Sequence, residues 1–110
     1  MQIKANVFYC GYDDTIFICF ERIPWLKDYE RTYNIIRDGQ IIASGNGAED
    51  DPLIRPWEFD NDHHTELFKP DTRNWLCLKD TTFQRHFTYT YQVETEGGRH
   101  KSIPIVVTAT

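Results

Sequence analysis

The residues with the widest chemical repertoire in this chain are its three cysteines, its histidines and a cluster of carboxylates. Cys10, Cys19 and Cys77 lack the C-x-x-C spacing that gathers thiolates around zinc, and an odd number does not close a disulfide framework. They read as buried or half-buried thiols. His63 and His64 are adjacent, and neighbouring side chains of an extended chain point to opposite faces, so the pair reads as solvated loop and not as a chelate. Glu49, Asp50, Asp51, Asp60 and Asp62 offer the oxygen ligands that calcium prefers, but their spacing does not alternate as a calcium loop requires and no glycine sits at the turning point. Surface acidity is the better reading. Gly45 and Gly47 of "SGNGA" would need a helix behind them to hold phosphate, and they follow a hairpin instead. With no nucleophile beside a base, no metal cluster and no phosphate cradle, the sequence predicts neither an enzyme nor a cofactor.

The remaining candidates are aromatic. Trp25 and Tyr29 fall in a loop ahead of a strand, and Trp57 and Phe59 in a long stretch rich in aspartate and proline. Rings in such places anchor protein partners or stack on sugars, which makes these four the candidate binding residues. The competing reading is that Trp25 and Trp57 fill a secondary core beneath the long stretch. Trp75, next to Leu76 and Leu78, reads as strand packing.

The elements that would carry these rings are strands. "DDTIFICFE" sets Ile16, Ile18 and Phe20 on one side and Thr15, Phe17 and Cys19 on the other, the pattern of a central strand. "YNIIRDGQIIAS" places Tyr33 and Ile35 before Asp38-Gly39, and Ile41 and Ile42 after it; Asp-Gly tolerates the positive φ of a tight hairpin. Phe87, Tyr89, Tyr91 and Val93 alternate along a later strand, which turns at Gly97-Gly98 into a last strand from Ile103 to Thr108. Between the hairpins, Gly45 to Asn74 is a long excursion in which "HTELFKP" is a further candidate strand.

At 110 residues the chain is the size of one domain, 1–110. A formal charge of −5 argues against wrapping a phosphate backbone, so no nucleic-acid partner is expected. No apolar run approaches the roughly 20 residues of a membrane span. The opening residues lack the apolar centre of a secretion signal, which leaves a protein of the cytoplasm or of a particle assembled there, or a module cut from a longer secreted chain.

Three motifs together resemble the fibronectin type III domain, a seven-stranded immunoglobulin-like sandwich. "FICFE" stands where the family usually has a core tryptophan, with Phe20 in that role. "YNIIRDGQIIAS" resembles the third strand and return of bacterial members, and "LKDTTFQRHFTYTYQVETEGGRHKS" supplies Asp80, Tyr89-x-Tyr91-x-Val93 and a glycine turn. The resemblance spans roughly residues 5 to 110 and implies an all-β, antiparallel two-sheet fold of about seven strands, with a long insertion at about 45–74. It implies that Phe20, Tyr33, Tyr91 and Val93 are structural, that Asp38 and Gly39 form the hairpin, and that Tyr89 is a corner tyrosine bonding back to the preceding loop. Cys19 and Cys77 would lie on paired strands and point outward, where a cross-strand disulfide is conceivable and reduced thiols are preferred. The function implied is a non-catalytic structural or adhesive module, such as a phage particle or tail building block or an accessory domain of a larger bacterial protein. The alternative is a dedicated protein-binding module, a small inhibitor or receptor-like protein, that uses residues 45–74 as its contact surface. Its partner would be protein, with carbohydrate as a second class.

Overall fold

The computed structural model describes residues 2–48, 51–56 and 75–110. Trp57, Phe59, Asp60, Asp62, His63, His64, Glu49, Asp50 and the candidate strand at "HTELFKP" lie outside the described residues.

The described chain is all-β and forms two sheets, not a barrel. Its strands are β1 (Gln2–Ile3), β2 (Ala5–Cys10), β3 (Thr15–Glu21), β4 (Tyr33–Arg37), β5 (Gln40–Gly45), β6 (Arg55–Pro56), β7 (Trp75–Asp80), β8 (Thr88–Thr95), β9 (Lys101–Ser102) and β10 (Ile105–Thr108), with one 3-10 turn at Asp28–Glu30. The first sheet has the order β1-β9-β8-β4-β5, with β10 also paired to β8, and the second has the order β2-β3-β7-β6. Among the described residues seven strands have four or more residues, and β1, β6 and β9 are two-residue additions. The expectation of purely antiparallel pairing is corrected at one edge, where β1 runs parallel to β9.

Ile16, Ile18 and Phe20 of β3 and Leu76 and Leu78 of β7 face Tyr33, Ile35, Tyr91 and Val93 of the other sheet, all buried in one core. The Phe20 and Tyr33 rings meet across it at 5.0 Å between centroids. Each large side chain withdrawn in this way contributes about 1.5–3 kcal/mol, so the alternation of β3, β4 and β8 is the main cohesive term. Tyr33 could not be buried so fully without a partner for its hydroxyl, which accepts the Ile23 N–H at 3.0 Å. Burial, partly offset by that bond and the nearby Arg22 charge, raises its pKa.

The cysteines are buried or half-buried thiols, as expected: Phe17, Cys19 and Cys77 form a second apolar cluster on the outer face of the β3–β7 pair, with Phe8, Cys10 and Trp75 packed against it. Two details differ from expectation. The Asp38-Gly39 turn forms as expected, with φ of 50° and 84° and Arg37 opposite Gln40. A bulge follows it, because Ile35 opposes Ala43 while Ile36 opposes Ile41. The extra residue is Ile42, and it lets two neighbours, Ile42 and Ala43, both pack against the core while Ile41 stays exposed. The last strand is broken at Ile103-Pro104, where proline has no N–H to give the ladder, so that β9 and β10 are separate.

Candidate contact surface at the loop end

β3, β5 and β8 all run toward one end of the sandwich, and the segments leaving them meet there. Arg22 Nη2 donates to the Gly47 carbonyl, Glu96 N–H donates to the Thr32 carbonyl at 2.8 Å, and the Trp25 ring sits edge-on to His100 at 5.2 Å. Gly47 holds its place by conformation and by space: φ is 75°, and a Cβ there would lie 2.6 Å from a methyl of Leu76. Asp51 organises the same segment, since its carboxylate accepts the N–H groups of Asn46, Leu53 and Ile54 at 2.8–3.0 Å. Burial would raise its pKa, but those three bonds outweigh burial and lower it.

Beneath the surface of this end lies a buried polar pair. Glu30 and His100 are 1% and 2% exposed, with His100 Nε2 at 3.6 Å from Glu30 Oε2. Glu30 Oε1 also accepts the Lys27 N–H at 3.4 Å, closing the 3-10 turn in the manner of a capping box, and receives Arg99 Nη1 at 3.4 Å. Neither ring nitrogen of His100 makes a hydrogen bond among the described residues. This pair lies too deep to meet a substrate. Its effect is to fix the loop that displays Trp25 and Tyr29, which are 53% and 65% exposed.

Two cavities flank that loop and share Arg22, Ile23 and Pro24 in their walls. One, of about 430 Å³, is lined further by Leu26, Arg31 and Tyr33; the other, of about 360 Å³, by Ile3, Lys4, Glu21 and Trp25. Apolar and charged side chains line both. The loop end therefore combines exposed rings, concave surface and a fixed frame.

The opposite end is closed by side-chain hydrogen bonds. Asp80, at the end of β7, accepts Tyr91 Oη and, at 3.0 Å, Arg37 Nη1 on one oxygen, and the Thr82 N–H and hydroxyl at 2.9 and 2.6 Å on the other. Burial alone would raise its pKa, but the bonds from Thr82 and Tyr91 with the Arg37 charge outweigh burial and hold it below the ordinary carboxylate range. Burial and that carboxylate together push the Tyr91 hydroxyl up. Tyr89 is half-buried against the core, beneath the Arg37 guanidinium at 5.1 Å, and its hydroxyl accepts the Gln84 N–H at 2.7 Å. The bond from tyrosine to the preceding loop is present, with the backbone as donor.

Of the expected binding residues, Trp25 and Tyr29 share one exposed loop, and Trp57 and Phe59 fall outside the described residues. The sequence did not reveal the Arg37–Asp80 and Glu30–His100 pairs, whose members are 43 and 70 residues apart; the one available signal was the charge at the ends of β4 and β7 for the first pair, and the second, from the 3-10 turn and the β8–β9 turn, had none. Among the described residues no three His, Cys, Asp or Glu side chains are grouped to hold a metal ion, and no helix is long and apolar enough to cross a membrane. Comparison with protein-family models, with curated proteins and with solved structures finds no match.

Proposed function

We propose that this chain is a non-catalytic binding or adhesive module, an immunoglobulin-like sandwich of fibronectin type III character that meets a protein partner through its loop end. What supports the finer fold type is a strand order, β2-β3-β7-β6 against β9-β8-β4-β5, that resembles the A-B-E-D and G-F-C sheets of immunoglobulin-like sandwiches with one added edge strand, together with the bond from the Gln84 N–H to the Tyr89 hydroxyl, which is what a corner tyrosine would make. The observation that carries the functional reading is the exposure of Trp25 and Tyr29 on a loop framed by two cavities and held from below by Glu30. Large rings that are already ordered lose little entropy on binding, and interfaces concentrate affinity on such anchors. This role suits a component of a phage particle or tail as well as an accessory domain of a larger bacterial protein.

The test is capture of a stoichiometric protein from the source extract by the immobilised chain, compared with the double variant Trp25→Ala, Tyr29→Ala. The variant should melt as the native chain does and lose capture. Equal capture by both would overturn the reading, and binding of glycans alone would replace the protein partner with carbohydrate.

A further inference from the structure

Cys19 of β3 and Cys77 of β7 stand directly opposite each other in the antiparallel pairing. Their sulfurs are 3.3 Å apart, with the Cys19 S–H donating to Cys77 Sγ, and both residues are 1% exposed. Opposite residues of such a ladder hold their β-carbons within about 1 Å of disulfide separation, and an S–S bond needs the sulfurs to approach by roughly a further 1.2 Å. Small rotations of the two side chains supply that approach without moving either strand to a new register. Cys10 has no such access, because it opposes Thr15, four residues and so about 13 Å along the ladder from Cys19.

We propose that Cys19 and Cys77 are a redox pair that the folded sheet assembles and that a low-molecular-weight disulfide, RSSR, converts into a cross-strand bond. One protein thiolate attacks RSSR, forming a mixed disulfide and releasing RSH. The neighbouring thiol then attacks the protein sulfur, closing the Cys19–Cys77 bond and releasing the second RSH, so that RSSR gains the two hydrogens the protein loses. Folding comes first and the bond second, since the two residues are 58 apart in sequence and only the register brings them together. The chain thus folds in a reducing compartment and acquires a staple on entering an oxidising one. Because both sulfurs are shielded, reaction requires a local opening of the outer face, and the half-buried Cys10 should react sooner than the pair does.

The experiment treats the reduced native chain and the variants Cys10→Ser, Cys19→Ala and Cys77→Ala with oxidised glutathione. It reads intact mass, melting temperature and the linked peptides after trypsin with a protease cutting at Asp13, which separates Cys10 from Cys19. Cys10→Ser should lose two hydrogens, and the native chain should lose the same two while Cys10 takes up one glutathione; both should link the Cys19 and Cys77 peptides and melt several degrees higher, and neither alanine variant should form that link. A persistent glutathione adduct on Cys19 or Cys77, a link through Cys10, unreacted Cys19 and Cys77, or a lower melting temperature after closure would each overturn the proposal. Should an alanine variant fail to fold, the peptide map of the native chain decides alone.

Discussion

The two ends of this sandwich solve opposite problems with similar residues. At the Asp80 end, a buried carboxylate gathers Arg37, Thr82 and Tyr91 from both sheets, and the groups satisfy one another. At the Trp25 end, a buried carboxylate is used once more, but Glu30 holds a loop whose rings stay in water between two cavities. One end ties the sheets together and the other keeps a surface available. Polar groups buried at a sandwich end fix geometry in either case, and what differs is whether the aromatic residues above them are used up in packing.

The comparison is broken most severely at Asp80. Asp80→Ala should cost about 3 kcal/mol, because it strands the Arg37 charge and the Tyr91 hydroxyl together; chemical denaturation measures it, and a loss below about 1 kcal/mol would show that the tie is not structural. The same residue sets an acid limb. Unfolded aspartate titrates near pH ~3.9 and folded Asp80 lower, so its stabilisation is complete above the unfolded value and is lost as pH falls through the folded one. The native chain should therefore weaken in acid more steeply than Asp80→Ala.

Next comes Gly47→Ala, expected to cost about 2 kcal/mol, since the left-handed backbone and the Leu76 methyl both oppose a Cβ. It should also loosen the Arg22 contact and so the cavity walls, which backbone hydrogen exchange at residues 46–48 would register as faster exchange. Tyr89→Phe should cost only about 0.5–1 kcal/mol, less than a buried bond is worth, because the Gln84 N–H it abandons is exposed and finds water. A larger drop in denaturation midpoint would mean that the ring shifts as well. The smallest effect belongs to Trp25→Ala and Tyr29→Ala, each within about 0.5 kcal/mol, as surface truncations are. A fall of several kcal/mol in either would turn the proposed contact surface into core.

How much was legible follows from the range of each interaction. The Asp38-Gly39 hairpin is local, and so is the alternation Tyr89-Tyr91-Val93; both are written in neighbouring residues, and the structure has them. The bulge at Ile42 was not legible, because either isoleucine satisfies the pattern and only the pairing with β4 selects which one turns inward. Burial of the cysteines was legible from residue type, but the cluster that Cys19 forms with Phe17 and Cys77 was not, since alternation separates two faces of a strand without saying what covers the outer one.

By itself the sequence determined the class: β-branched and aromatic alternation, turn chemistry and too few helical stretches leave a two-sheet fold of short strands. The tertiary structure decided what stands beside what. Asp80 meets Arg37, Glu30 meets His100 and Cys19 meets Cys77 across 43, 70 and 58 residues. No local pattern encodes such pairs, because their closeness comes from the register of strands that fold to bury a shared core, and the polar and thiol groups are carried into contact by that burial.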